Sequence, residues 1–113
     1  MASEKRQVIV IKWVKLSAFE IWDYISQDSV QNADMFMEDL EKEMSKIEKY
    51  PESNAVFKPL QGKRKLYRYR IFKKNYFIIF KLLKYKLVYV RVVHSRRSPN
   101  FYKTLRTTDY KKT

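Results

Sequence analysis

The sequence predicts an α+β fold, in which a helical hairpin packs on one face of a mostly antiparallel, twisted sheet. Three features lead to this prediction: a short β-branched run near the N-terminus, a long segment with apolar residues every three or four positions, and three apolar runs separated by short lysine-containing turns. The second pattern is typical of helices, and the first and third are typical of strands. The predicted element order is therefore β-α-α-β-β-β.

The N-terminal part of the chain predicts one strand followed by two helices. Residues 8–14 form the β-branched run, and the capping box that begins at Ser17 predicts that the first helix starts there. Asp28 and Ser29 interrupt the helical pattern and predict the cap of a second helix. We expect that helix to bury an apolar seam (Val30, Ala33, Met37, Leu40, Met44, Ile47) and to expose its acids to solvent (Glu38, Asp39, Glu41, Glu43).

The C-terminal part predicts a three-stranded meander. Residues 51–64 hold two of the three prolines and the only glycine, so they are predicted to be a connecting loop. Strands are predicted at 66–72, 76–82 and 87–94, with short turns between them. In the last strand, alternation predicts that Val88, Val90, Val92 and His94 share one face.

Length and composition predict one domain over residues 1–113, with a core at about 8–105 and flexible ends. The chain has no cysteine and one histidine, which argues against thiolate or histidine metal sites, and no cofactor or metal is predicted. The longest apolar run near the N-terminus, residues 8–11, is too short for a signal peptide or a membrane span. We therefore expect a cytoplasmic protein.

Charge is distributed very unevenly along the chain. The formal net charge is +13; residues 1–57 hold 7 Lys/Arg and 11 Asp/Glu, whereas residues 58–113 hold 18 and 1. A surface of this kind attracts phosphates and carboxylates alike. The imbalance predicts a polyanionic or acidic protein partner, in preference to a charge that serves solubility alone.

Three stretches, taken in order, resemble the RelE/ParE superfamily of toxins from bacterial type II toxin–antitoxin modules. They are DYISQDSVQNADMFMEDLEKEMSKIEKYP, YRYRIFKKNYFIIFKL and VVHSRRSP, and with the element order they extend the resemblance over roughly residues 8–105. The resemblance implies a growth-inhibiting toxin held inactive by a cognate acidic antitoxin, and it leaves room for higher-order toxin–antitoxin assemblies.

The resemblance implies one of two activities and leaves the target open. RelE-like members cut messenger RNA in the ribosome without a metal, by helping a ribose 2′-OH to attack its own phosphodiester. ParE-like members are not enzymes, and they poison DNA gyrase. A basic nucleic-acid-binding domain without toxic activity is the alternative outside this superfamily.

The nuclease pattern is only partly present. The resemblance to RelE-like members implies functional basic positions at Arg68 and Arg70, a late arginine at Arg96 and a tyrosine at Tyr102. Arginine stays protonated and is a poor general base, and the arginine expected just after Tyr76 is replaced by Phe77. The end of the last strand, His-Ser-Arg-Arg at 94–97, resembles ParE-like members instead.

The candidate site residues follow from these matches, and each has a structural alternative. Catalytic roles are predicted for Arg96, Tyr102 and His94, and phosphate binding for Arg68, Arg70 and Arg97. Arg68 and Arg70, in the predicted strand 66–72, could equally form a solvated strand face. His94 could be a hydrogen-bonded histidine at the core edge, and Tyr102 a packing anchor.

Overall fold

The computed structural model describes residues 6–60 and 66–96, and it confirms the predicted α+β class. The two helices and the three C-terminal strands follow in the predicted order, with short 3-10 turns at Pro51–Ser53 and Lys58–Leu60. The elements are β1 (Gln7–Val10), α1 (Lys12–Ser26), α2 (Val30–Lys49), β2 (Ala55–Val56), β3 (Tyr67–Phe72), β4 (Tyr76–Leu82) and β5 (Lys86–His94).

The described strands form one sheet in the order β1-β5-β4-β3-β2. β1 runs parallel to β5, and the other pairs are antiparallel. The sequence pattern does not predict β2, because its two residues lie within a segment of turn-forming residues. Ala55 lies opposite Tyr69 and Val56 opposite Arg68, so β2 depends on pairing with β3 and not on local preference.

The first helix begins earlier than the sequence predicts, and Ser17 is not its N-cap. The helix starts at Lys12, directly after the buried Ile11. Ile11, Val14 and Ala18 recur at helical spacing and pack in the core, and this burial outweighs the β-branched preference of the segment. Ser17 lies inside α1, where its hydroxyl donates to the Val14 carbonyl and accepts from the Val92 amide of β5.

The second helix follows its prediction closely. The Ser29 hydroxyl accepts a hydrogen bond from the Asn32 amide at 3.1 Å, which is the expected N-cap geometry. The seam residues Ala33, Leu40 and Ile47 are buried, and Met37 and Met44 are partly buried. Val30 is an exception, since its side chain in the first turn of α2 is 57% exposed.

Hydrophobic residues pack on both faces of the sheet. The larger cluster lies between the sheet and the helices, and the smaller one covers the opposite face around Phe57, Leu60 and Tyr67. In β5 a bulge inserts Val90 between Tyr89, which pairs with Phe80, and Arg91, which pairs with Ile79. Val92 consequently packs in the cluster beneath the helices while Val90 packs in the opposite cluster, so the single face predicted for these valines is wrong.

Candidate functional site

The two arginines of β3 are engaged in structural contacts on the side of the sheet that carries α2. Arg68 donates from Nη1 to the carbonyl oxygens of Asn54, at 2.6 Å, and Glu52, at 3.3 Å. Arg70 donates from Nε to the Glu43 carboxylate and from Nη1 to the Asn54 side-chain oxygen at 3.3 Å. These contacts tie β3 to α2 and to the turn that follows it.

The acids of α2 therefore do not all face solvent as predicted. Glu43 is 19% exposed and pairs with Arg70, and Asp39 pairs with Lys73 at 2.7 Å. The Lys73 ammonium donates a hydrogen bond to Asp39 and holds the pKa of that carboxyl below its usual value. The sequence pattern separates acids from bases along the chain, but the fold brings them together because α2 crosses β3 and the turn beyond it.

His94 lies at the end of β5, and its side chain is exposed. It follows the bulge and pairs with Tyr76, so it keeps the face of Val92 that the alternation predicts. Its ring meets Tyr76 edge to face at 5.5 Å, and its Nδ1 accepts a hydrogen bond from the Arg96 amide at 3.2 Å. Arg96 is exposed just beyond the strand.

An aromatic cluster separates the β3 arginines from the end of β5. Phe72, Tyr76 and His94 lie in one row across the sheet, and Arg70 lies two residues before Phe72. Phe36 of α2 packs on Phe72 and Tyr76, with ring centroids 5.3 and 5.2 Å away. Phe36 of α2 thus packs on the row between Arg70 and His94, and no hydrogen bond or ring contact within residues 6–60 and 66–96 joins these two residues.

Phe77 replaces the arginine that the nuclease pattern expects, and it faces the other side of the sheet. Its ring lies 4.9 Å from Tyr69 and 6.0 Å from Phe57, within the smaller hydrophobic cluster. The predicted catalytic Tyr102 and the predicted phosphate-binding Arg97 lie outside the described residues.

Two grooves flank α1, and the sequence interpretation missed both. The α1–β5 groove has a volume of about 900 Å³ and opens beside His94; the Arg91 guanidinium lies over Trp13 at its wall. The interhelical groove between α1 and α2 has a volume of about 490 Å³ and is almost wholly apolar, with Phe19 and Trp22 among its lining residues. Trp13 and Phe19 are 37% and 58% exposed. The signal that identifies them is an apolar surface on α1 too wide for one buried face.

Two further ionisable groups have structural roles. Burial, and then a hydrogen bond to the Glu48 carboxylate, raise the pKa of Tyr89 above its usual value. Arg6 donates to Glu52 at 3.0 Å, which lowers the pKa of that carboxyl. Within residues 6–60 and 66–96 there is no group of three or more His, Cys, Asp or Glu side chains that could hold a metal ion. No helix in the same part of the chain is long and apolar enough to cross a lipid bilayer.

Comparison with known proteins agrees with this architecture. Residues 17–99 match the family described as the ParE toxin of type II toxin–antitoxin system, parDE. A chain of the solved chromosomal ParDE toxin–antitoxin system from P. aeruginosa has the same fold, with a TM-score of 0.66 and 12% identity, over 81% of this chain and 98% of that one. A comparison with curated proteins found no match.

The fold is thus that of a small α+β toxin with a helical hairpin on a five-stranded sheet. Because the family match spans most of its length, the chain belongs to the ParE toxin family of type II toxin–antitoxin systems.

Proposed function

We propose that this toxin inhibits growth by poisoning DNA gyrase and does not cleave messenger RNA. Membership of the ParE family supports gyrase as the target. The observation that carries the argument against cleavage is the aromatic cluster of Phe36, Phe72 and Tyr76, which lies between Arg70 and His94. Metal-free cleavage needs a base, an acid and phosphate-binding cations around one phosphodiester.

The engagement of the β3 arginines supports the same proposal. Arg70 would have to leave Glu43 and Asn54, and Arg68 would have to leave two backbone carbonyls, before either could bind a phosphate. Leaving a partly buried carboxylate such as Glu43 without its cation is unfavourable. The side chain of Phe77 provides no charge and lies on the opposite face.

We infer further that an acidic antitoxin neutralises this toxin. The net charge of +13 favours an acidic partner. The interhelical groove provides apolar surface on the helical hairpin, with Phe19 and Trp22 accessible from solvent. A segment that combines carboxylates with apolar side chains would satisfy both features.

A supercoiling assay tests the proposed target. The purified chain is added to DNA gyrase, ATP and relaxed plasmid, and the products are resolved with and without detergent and protease. We expect less supercoiled product and an accumulation of broken plasmid. Normal supercoiling in the presence of excess toxin would overturn the gyrase proposal.

His94→Gln is the matched variant for this assay. The side chain is exposed at the end of β5, so the substitution leaves the core unchanged. Because His94 provides no proton-transfer step in the proposed function, we expect the variant to inhibit gyrase as the parent chain does. Loss of growth inhibition in this variant, with normal folding, would favour the nuclease activity instead.

A further inference from the structure

The turn between β3 and β4 has an unusual backbone for its sequence. Lys73 and Lys74 both have positive φ angles, 50° and 67°. Left-handed backbone is unfavourable for residues with a Cβ, and turns of this kind usually contain glycine or asparagine. Two consecutive lysines in this conformation therefore call for a separate explanation.

Lys73 has a structural reason for its place, but Lys74 has none. The Lys73 ammonium pairs with Asp39 at 2.7 Å and lies over the Phe72 ring at 5.7 Å, which holds the turn against α2. Lys74 is exposed, and its ammonium forms no ion pair or hydrogen bond with the residues that the structure describes. Its strained backbone is thus not offset by any contact of its side chain in that part of the chain.

Arg96 lies at the same end of the sheet. The Ser95 amide donates to the Asn75 carbonyl at 2.8 Å, so the residues just beyond this bond, Lys74 and Arg96, lie on adjacent segments of chain. Arg96 is exposed, and its guanidinium has no ion-pair partner within residues 6–60 and 66–96. Asp39, the acid of α2 that contacts this turn, is already paired with Lys73.

We propose that Lys74 and Arg96 form a cationic turn surface that binds the phosphate backbone of DNA. Unpaired, exposed cations on adjacent segments suit successive phosphates, and arginine binds phosphate oxygens through two N–H groups at once. A lysine kept in a strained position, where glycine would be more stable, is expected where its charge serves binding. Under the proposed function, this DNA is the duplex that gyrase holds. That biological role of the cationic turn surface rests on the proposed function.

Binding itself is measured without gyrase, so the two proposals fail separately. A short fluorescent DNA duplex is titrated with the chain over a series of salt concentrations, and the slope of log affinity against log salt is compared among variants. Loss of one phosphate contact lowers the magnitude of that slope by about one and weakens binding by roughly eight-fold at about 0.1 M salt.

Three variants make the test specific. Lys74→Gln removes the charge and keeps a Cβ, Lys74→Gly removes the charge and relieves the backbone, and Arg96→Gln removes the second cation. Lys84→Gln is the control, because Lys84 is an exposed turn lysine at the opposite end of the sheet, between β4 and β5. We expect the first three variants to lose slope and affinity and Lys84→Gln to retain both. Only Lys74→Gly should also raise the melting temperature, by roughly 3–5 °C.

Several outcomes would overturn this proposal. An unchanged slope in Lys74→Gln, an equal loss in Lys84→Gln, or no gain in melting temperature for Lys74→Gly would each contradict it. If the variants bind DNA normally but lose affinity for polyglutamate, the surface serves an acidic protein partner instead. DNA binding that depends on Lys74 and Arg96, together with normal supercoiling in the gyrase assay, would contradict the gyrase proposal and support the cationic turn surface.

Discussion

At the scale of single residues, Asn54 and Glu43 position the β3 arginines. Asn54 is a buried polar residue in the described chain, at 7% exposure, and it accepts from Arg68 through its carbonyl and from Arg70 through its side chain. Its own side-chain amide donates to the Pro51 carbonyl at 3.1 Å. Buried polar groups are stable only when they are satisfied in this way. The arginines therefore stabilise the junction of α2, the following turn and β3.

Glu43→Gln tests this structural role. The substitution leaves Arg70 partly buried without a carboxylate, and we expect it to lower the free energy of unfolding by about 1–2 kcal/mol. Urea denaturation followed by circular dichroism measures the change. Glu38→Gln is the control, since Glu38 is exposed on the same helix. Equal stability of the two variants would show that the pair with Arg70 does not hold α2 to the sheet.

At the scale of elements, the helical hairpin depends on a defined break between its helices. α1 ends at Ser26 and α2 begins at Val30, and the Ser29 hydroxyl satisfies an amide in the first turn of α2. The hairpin matters for the site because α2 carries Phe36 and Glu43. Phe36 packs on Phe72, and Glu43 pairs with Arg70.

Ser29→Ala is expected to destabilise the protein by about 1 kcal/mol, because the first turn of α2 loses its side-chain cap. Thermal and urea denaturation measure the effect. Ser45→Ala is the control within the same helix; Ser45 is exposed in the helix interior, where alanine is the better helix former. If both variants were equally stable, Ser29 would not be acting as a cap.

The elements also show which features local sequence determines. α2 and the meander are predicted well, because each has a clear period and clear turn residues. The start of α1, strand β2 and the bulge at Val90 are missed, since each depends on contacts with distant residues: Ile11 in the core, β3 beside β2, and the pairing of β4 with β5.

The candidate site was less predictable than the fold for the same reason. Residue types in the sequence identify Arg68, Arg70, His94 and Arg96 as candidate functional residues. They contained no information that Phe36 of α2 would lie between the two pairs, or that Glu43 would engage Arg70. The left-handed turn at Lys73 and Lys74 was not predicted either, because neither residue favours that backbone.

At the scale of the whole molecule, the fold partly balances an uneven charge distribution. Acids from α2 pair with cations of β3 and of the turn beyond it, through Glu43 with Arg70 and Asp39 with Lys73. The net charge of +13 nevertheless reflects an excess of cations that is concentrated in the C-terminal half, where residues 58–113 hold 18 Lys/Arg and one acid. Such a surface attracts polyanions at long range and makes association depend on salt. It is compatible with DNA and with an acidic antitoxin, so the target must be decided by activity.

The most direct test of the central claim is a cell-free translation reaction programmed with purified messenger RNA. The purified protein is added, and RNA ends are mapped with and without translating ribosomes. Because Phe36, Phe72 and Tyr76 lie between Arg70, a predicted phosphate-binding residue, and His94, a predicted catalytic one, we expect the messenger RNA to remain intact in both reactions. New ends that appear only on translated messages would contradict the account and identify the protein as a ribosome-dependent ribonuclease.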